Sequence, residues 1–279
     1  MHEIFLTALV EDKDFAGACS VLGGLTNMDP WESIQRVLYF QGPPRPMGIF
    51  NQSSIKKPIS PPNTGFLWKE LHQNLTRQSF ILQTRYDVLK DRDMGPNAPA
   101  MDLDATQGIL KWTDFPDPPR GQPLLTQRKK VELWEQKMLP SLMRDNNHTQ
   151  TETIEEMYRF YRDEIEFCLV RYYFLHPIEN YVPMETKQQQ SMPLGSLPSF
   201  DSLTPVDQQK RWFLHVKAHV VQDNKPEELR KVQEQLLSIK KELEGVFDFR
   251  GIDRKVHDTR VMQQAQGVQQ LPQRVTIGK

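Results

Sequence analysis

Apolar and polar positions alternate along this chain in blocks broken by Gly and Pro. In "HEIFLTALV", residues 2–10, His2, Ile4, Leu6, Ala8 and Val10 fall on one side and Glu3, Phe5, Thr7 and Leu9 on the other. That period of two predicts a strand with one mostly apolar face. "ESIQRVLYFQ" (32–41), "SFILQTRYDV" (79–88), "ILKWTDF" (109–115), "LLTQRKKVELW" (124–134) and "WFLHVKAHVV" (212–221) predict further strands. "TETIEEMYRFY" and "EIEFCLVRYYFL" predict a hairpin turning at Arg162-Asp163. Ile154, Tyr158, Tyr161, Ile165, Cys168 and Tyr172 also approximate a helical period, but β-branched and aromatic residues dominate after Glu164 and favour strands.

Helical spacing recurs at Phe15, Ala18, Cys19 and Leu22, with Asp12 as a cap and Gly23-Gly24 as the stop. Short helices are expected in "FLWKELHQNL" and in the second half of "EQKMLPSLMRDN". The clearest helix follows 221. Asn224 can cap it, Pro226 suits the first turn, Glu227 completes a capping box and Gly245 ends it. Leu229, Val232, Leu236, Ile239 and Leu243 form its apolar stripe. "GVFDFRGIDRKVHDTRV" reads as a last strand. Strands and helices do not interleave regularly, so a doubly wound parallel sheet is not expected. The pattern predicts an α+β, mainly β fold: an antiparallel barrel or highly curved sheet with flanking helices. It forms a single domain over 1–261 with long loops at about 43–65, 91–107 and 180–207, and the Gln-rich tail 262–279 is expected to be disordered.

Charged residues make up 25% of the chain, yet the formal net charge is −1, so no bulk attraction to nucleic acid or to a membrane surface follows. No apolar run approaches the ~18 residues of a membrane helix. The opening "MHEIFLTALVEDKDF" is too short and too charged to be expected as a signal peptide. Cys19 and Cys168 stand far apart with no CxxC pair, which points away from a zinc knuckle and toward a reducing compartment.

Several residues invite chemistry. Glu164 and Glu166 would share a strand face, where two carboxylates could hold a divalent metal, with Arg162 and Arg171 near enough for phosphate. Enzymes that bind triphosphate inside a strand tunnel use Glu-x-Glu-x-Lys, but here the next position on that face is Cys168. His215 and His219 on a strand stand about 13 Å apart, from ~3.3 Å per residue, too far to share one ion. With Lys217 between them they read as a polar outer face. "QRKK" (127–130) reads as a solvated strand end, and "FDFRG" (247–251) lacks every companion of a kinase motif. A tri- or polyphosphate hydrolase would need a ring of glutamates and basic residues around one tunnel, and Glu164 with Glu166 is the one pair the sequence offers. No catalytic residue, metal or cofactor is therefore expected. Trp112, Phe115, Tyr172, Tyr173 and Phe174 are the candidates for partner binding, on aromatic content alone.

"LGGLTNMDPWESIQRVLYFQGPPRP", "ILKWTDFPDPP", "LLTQRKKVELWEQK" and "GVFDFRGIDRKVHDTRV" together resemble the subunit 18 family of the Mediator complex, the coactivator that bridges transcription factors and RNA polymerase II. The resemblance runs over 1–262 and is weakest in the three long loops. It implies a nuclear, non-enzymatic subunit of the Mediator head module with a β-barrel shaped like that of the triphosphate-tunnel enzymes. It also implies two partners, subunit 20 as a second barrel and the C-terminal helix of subunit 8, with contact to the polymerase machinery made through the complex. Direct nucleic-acid or membrane binding is not implied.

Overall fold

The structure, a computed structural model, describes residues 1–49, 64–119, 121, 124–146, 148–175, 196–221 and 225–262. The stretches 50–63, 176–195 and 263–279, which take in parts of two expected loops and nearly all of the tail, lie outside the described residues, as does Asn224.

One sheet contains β1 (His2–Val10), β2 (Trp31–Gln41), β3 (Ile81–Val88), β4 (Gly108–Thr113), β5 (Thr126–Gln136), β6 (Thr149–Arg162), β7 (Ile165–Phe174), β8 (Thr204–Pro205) and β9 (Trp212–Val220). The order is β6-β2-β3-β4-β5-β1-β9-β7-β8, and β6 also pairs with β7. The sheet therefore closes on itself as an antiparallel barrel, with only the two-residue β8 outside the ring. Closure pairs the backbone groups that an open sheet would leave at its edges. The closing pair is the expected hairpin, in register from Thr153↔Phe174 to Arg162↔Ile165. Its turn falls one residue later than the sequence suggests, on Asp163 and Glu164, with Asp163 at φ 54°. Aspartate enters that left-handed region more readily than bulky residues do.

Among the described residues five helices flank the barrel: α1 (Phe15–Thr26), α2 (Thr64–Arg77), α3 (Lys90–Asp93), α4 (Leu139–Asp145) and α5 (Pro226–Glu242). One apolar core lies between the outward faces of β1, β7 and β9 (Ile4, Leu6, Phe167, Leu169, Leu214 and Val216) and Leu22 of α1 with Leu236 and Ile239 of α5. A second core lies on another side, where Leu38, Phe40, Leu82, Leu110 and Leu133 meet Leu71 and Leu75 of α2 and Leu142 and Met143 of α4. The barrel thus buries its apolar residues on the outside, under helices, and turns its polar positions inward.

Three local expectations are corrected. Helix α1 does not stop at Gly23-Gly24; it runs to Thr26 and ends with Asn27 at φ 53°. The amide of Met28 reaches the carbonyl of Gly23 at 3.3 Å, and a Cβ on Gly23 would stand 3.2 Å from the Met28 oxygen, so this glycine serves a close approach of the chain. Helix α5 has Lys225, not Asn224, at its N-cap, and no side chain caps it. Its start rests on Pro226 and on Glu227 and Glu228 at the positive end of the helix dipole. The third correction concerns 245–261, which is a strap and not a strand. Strand β1 pairs with β9 along its whole length but with β5 only from His2↔Lys129 to Phe5↔Thr126. The strap meets the remainder, where the Arg250 amide donates to the Thr7 carbonyl at 3.0 Å, and runs on to β3, where the Ile81 amide donates to the Thr259 carbonyl at 2.7 Å. Because it crosses from β1 to β3, it stays beside neither long enough to build a ladder.

Leu236 is fully buried between α5 and the barrel. Leu236→Ala is expected to lower unfolding free energy by ~2–5 kcal/mol, whereas Arg230→Ala on the exposed face should stay within about 0.5 kcal/mol. Urea denaturation of the two variants checks this, and an unshifted midpoint for Leu236→Ala would remove α5 from the core.

Candidate functional site

The barrel interior is the candidate site. Its wall follows from alternation: each strand that sends aliphatic side chains out to the helices sends the intervening residues in. Glu3 comes from β1, Arg85 from β3, Lys111 from β4, and Arg128, Lys130 and Glu132 from β5. Glu155 and Arg159 come from β6, Glu166 from β7 and Lys217 from β9. Cross-strand register brings opposite charges together, as in Glu3↔Arg128, Lys111↔Glu132 and Glu166↔Lys217.

Three ion-pair groups result. Glu3 accepts from Arg128 at 2.9 Å and stands 3.8 Å from Lys111, while Glu132 stands 3.8 Å from Lys111 and 3.1 Å from Lys130. Glu166 lies 3.1 Å from Lys217 and 3.7 Å from Arg159. Arg85 donates to both oxygens of Glu155, at 2.9 and 3.2 Å, and Tyr39 donates to the same carboxylate at 3.3 Å. Burial alone would push Glu3 upward, but Lys111, Arg128, Lys130 and Lys217 together hold it well below the usual carboxylate range. Burial brings the Lys111 ammonium down to about 8 against the opposing pull of Glu3 and Glu132. Lys217 goes the other way: burial would lower it, but Glu166 first, then Cys168 and Glu3, raise it.

Four sequence expectations are overturned here. Glu164 and Glu166 do not share a face, because Glu164 sits exposed in the hairpin turn while Glu166 enters the lumen. His215, Lys217 and His219 form an inner face, not an outer one. The opposite face of β9, with Leu214, Val216 and Ala218, is the apolar one, and α5 covers it. Likewise Arg128 and Lys130 of "QRKK" are not a solvated strand end but part of the lumen wall. The ring of glutamates and basic residues that the sequence did not offer is therefore present. The signal was Arg128/Lys130/Glu132 at every second position of a strand whose alternate residues, Val131 and Leu133, are apolar.

Each lumen carboxylate is engaged by lysine or arginine. Among the described residues no group of three or more His, Cys, Asp or Glu side chains is placed to hold a metal ion. Burial keeps the lumen histidines neutral: His215 is brought down to about 3 with help from Lys217, and His219 to about 4 with help from Lys130. His257 of the strap, edge-on to Phe5, is brought down to about 4 by burial and Arg128.

The aromatic candidates are scattered. Trp112, 2% exposed, lies in the outer core under α2 and α4, edge-on to Phe80. Phe115 is half-buried, with the guanidinium groups of Arg254 and Arg260 over its ring at 4.6 and 3.9 Å, so it clamps the strap. Tyr172 faces the lumen and packs edge-on against Phe213. Tyr173 points outward but is 6% exposed and donates to Glu156 at 2.5 Å. Phe174, half-buried, ends β7 opposite Thr204 of β8.

Fold and site together define a closed antiparallel barrel with helices on its apolar exterior and ion-paired charges in its lumen. The family described as Med18 protein matches residues 2–260, and the chain belongs to that family. Among solved structures, a chain of the Schizosaccharomyces pombe Mediator head module is similar over 94% of this chain and 100% of its own, at 12% identity and a TM-score of 0.59. The Hippeastrum protein HpAC1, described as having a dominant triphosphatase activity, aligns over 91% of this chain and 93% of its own at 7% identity; its TM-score of 0.36 is too low to bear on function. Comparison with curated proteins gave no match.

Two predictions follow from the lumen. Glu164→Gln should change stability by less than about 0.5 kcal/mol, whereas Glu166→Gln strands Lys217 and Arg159 and should cost ~3–5 kcal/mol. Chemical denaturation of both variants measures the contrast, and equal effects would contradict the placement of Glu166. The second concerns acid. His215, His219 and His257 bind protons near pH 6.5 when unfolded but only near 3 to 4 when folded. Between those values the unfolded chain holds more protons, so stability falls as pH drops from about 6.5 toward 4. Each pH unit over which one such histidine is charged only in the unfolded chain removes about 1.4 kcal/mol. Unfolding free energies between pH 7 and 4.5 should show this slope, and His215→Gln should flatten it by up to about one proton.

Proposed function

We propose that this chain is a non-enzymatic structural subunit of the Mediator head module, acting in the nucleus to help join regulatory factors to RNA polymerase II. The observation that carries this reading is membership of the Med18 family over residues 2–260. Similarity in fold to a chain of the fission-yeast head module along nearly the whole length supports it. The lumen supports the non-enzymatic part. Metal-dependent hydrolysis of tri- or polyphosphate, the competing reading, needs carboxylates able to take up a cation, and the lumen glutamates are engaged by Lys and Arg at 2.9–3.8 Å, with the Arg128 and Arg85 pairs at 2.9 Å.

The partners that fit are those the family resemblance implies, subunit 20 as a second barrel and the C-terminal helix of subunit 8. A helix docks by laying apolar anchors into a groove, and a few central aromatic or arginine residues carry most of such binding. Of the aromatic candidates, Phe115 and Phe174 keep part of their surface accessible, whereas Trp112 and Tyr173 are buried and the half-buried Tyr172 faces the lumen. Co-expression with subunits 8 and 20 tests the proposal. Phe115→Ala or Phe174→Ala should weaken capture of one partner by ~2 kcal/mol or more with the chain still folded, and Trp112→Ala should lower the melting temperature of the chain alone. Failure to associate with either subunit, or metal-dependent phosphate release that disappears in Glu166→Gln, would overturn the scaffold reading.

A further inference from the structure

The lumen wall is not electrically balanced. Its strands turn inward six cationic side chains, Arg85, Lys111, Arg128, Lys130, Arg159 and Lys217. Against them stand four carboxylates, Glu3, Glu132, Glu155 and Glu166. Two further acids lie at the rims and do not close the gap. Asp258 of the strap is held by its own neighbour Arg260 at 2.8 Å, and Asp87 is exposed at the end of β3, where it accepts from Gln35. The three nearby histidines are neutral at physiological pH and add donors without adding charge. Among the described residues the lumen thus holds two cations more than carboxylates, and enclosed charge without matching anions is destabilising.

The cations also converge. Five of the six line a single cavity of about 330 Å³ inside the barrel. Arg128 and Lys111 stand on one wall, Arg85, Arg159 and Lys217 on the others. At Arg159 the buried Nε makes no hydrogen bond among the described residues, its nearest carboxylate oxygen being 3.7 Å away on Glu166. The cavity has room for one or two tetrahedral groups with their water, and guanidinium forks match such groups in geometry.

We propose that the lumen is a metal-independent receptor for a small multivalent oxyanion of the phosphate class, held among Arg128, Lys111, Arg85, Arg159 and Lys217. The anion supplies the charge the wall lacks, so its binding tightens the barrel and leaves the anion unchanged. This site goes beyond the scaffold reading and stands or falls separately from it, since its test requires no partner subunit.

The test is calorimetric titration of the full chain, in EDTA, with inorganic phosphate, pyrophosphate and ADP in separate arms at matched ionic strength. Pyrophosphate is expected to bind at one site and to raise the melting temperature. Arg128→Gln and Lys217→Gln should each weaken it at least tenfold, while Arg230→Gln, on the exposed face of α5, should not. Should Arg128→Gln fail to fold, Lys111→Gln serves, because Glu3 keeps Arg128 and Glu132 keeps Lys130, and it should likewise weaken pyrophosphate at least tenfold. ADP binding as tightly as pyrophosphate would support the site with a nucleoside outside the mouth; pyrophosphate binding with ADP excluded would support it with a free inorganic anion. No binding of any arm at millimolar concentration, binding only when a divalent metal is added, or binding indifferent to the lumen substitutions (an adventitious ion only) would each overturn the proposal.

Discussion

Opposite charges enclosed by a closed sheet have to find one another within the barrel, and much of this structure depends on that pairing. Closing the ring through β6 and β7 takes the inward residues of every strand out of bulk water. A carboxylate in that position stays ionised only if cations stand beside it. The register supplies them across neighbouring strands: Arg128 beside Glu3, Glu132 beside Lys111, Lys217 beside Glu166. Once the polar residues face inward, the aliphatic ones face outward, and they need covers. That requirement is what seats α1 and α5 over one side and α2 and α4 over another. The arrangement inverts that of a small barrel packed with aliphatic side chains, and a single-residue slip in any strand would move charges under a helix.

Periodicity in the sequence located most of the elements, because alternation and helical spacing are local properties. Each expected strand before the C-terminal segment is present, and so is the 226–242 helix with its stripe through Leu236 and Ile239. What alternation leaves undetermined is which of two faces is the inside. His215, Lys217 and His219 share a face in any strand, but only the ring of neighbours decides whether that face meets water or a lumen. The apolar stripe of α5 held the missing clue, since it has to pack on the side of β9 that carries Leu214 and Val216. The strap at 245–261 was misread for a different reason. Its residues alternate well enough for a strand, but its hydrogen bonds go to two elements far apart in sequence, and no local pattern records a change of neighbour.

The lumen charges and the family assignment bear on one another. Each lumen glutamate is engaged by at least one basic residue of another strand, so the carboxylates of this interior are satisfied. Such an interior fixes strand register and rigidifies the barrel. A rigid barrel with helices outside presents fixed surfaces, which is what the proposed scaffold role requires. The half-buried Phe115, gripped by Arg254 and Arg260, shows the same tendency at the barrel mouth, where two guanidinium groups and an aromatic ring hold the strap against the end of β4.

The placement of β1 has a consequence for how the chain is made. Its nine residues are synthesised well before their partners, β5 at 126–136, β9 at 212–220 and the strap near 249. Ile4 has no partner strand until β5 has been synthesised, and Leu6 and Ala8 have none until β9 follows at 212–220. With synthesis at roughly 5–20 residues per second, that interval lasts on the order of tens of seconds. Pairings so distant in sequence also make the closing step slow, since the loop has to be restrained before its contacts form. The nascent chain therefore carries β1 only partly paired until β9 has been made, and the β1–β9 seam is among the late closures of the ring.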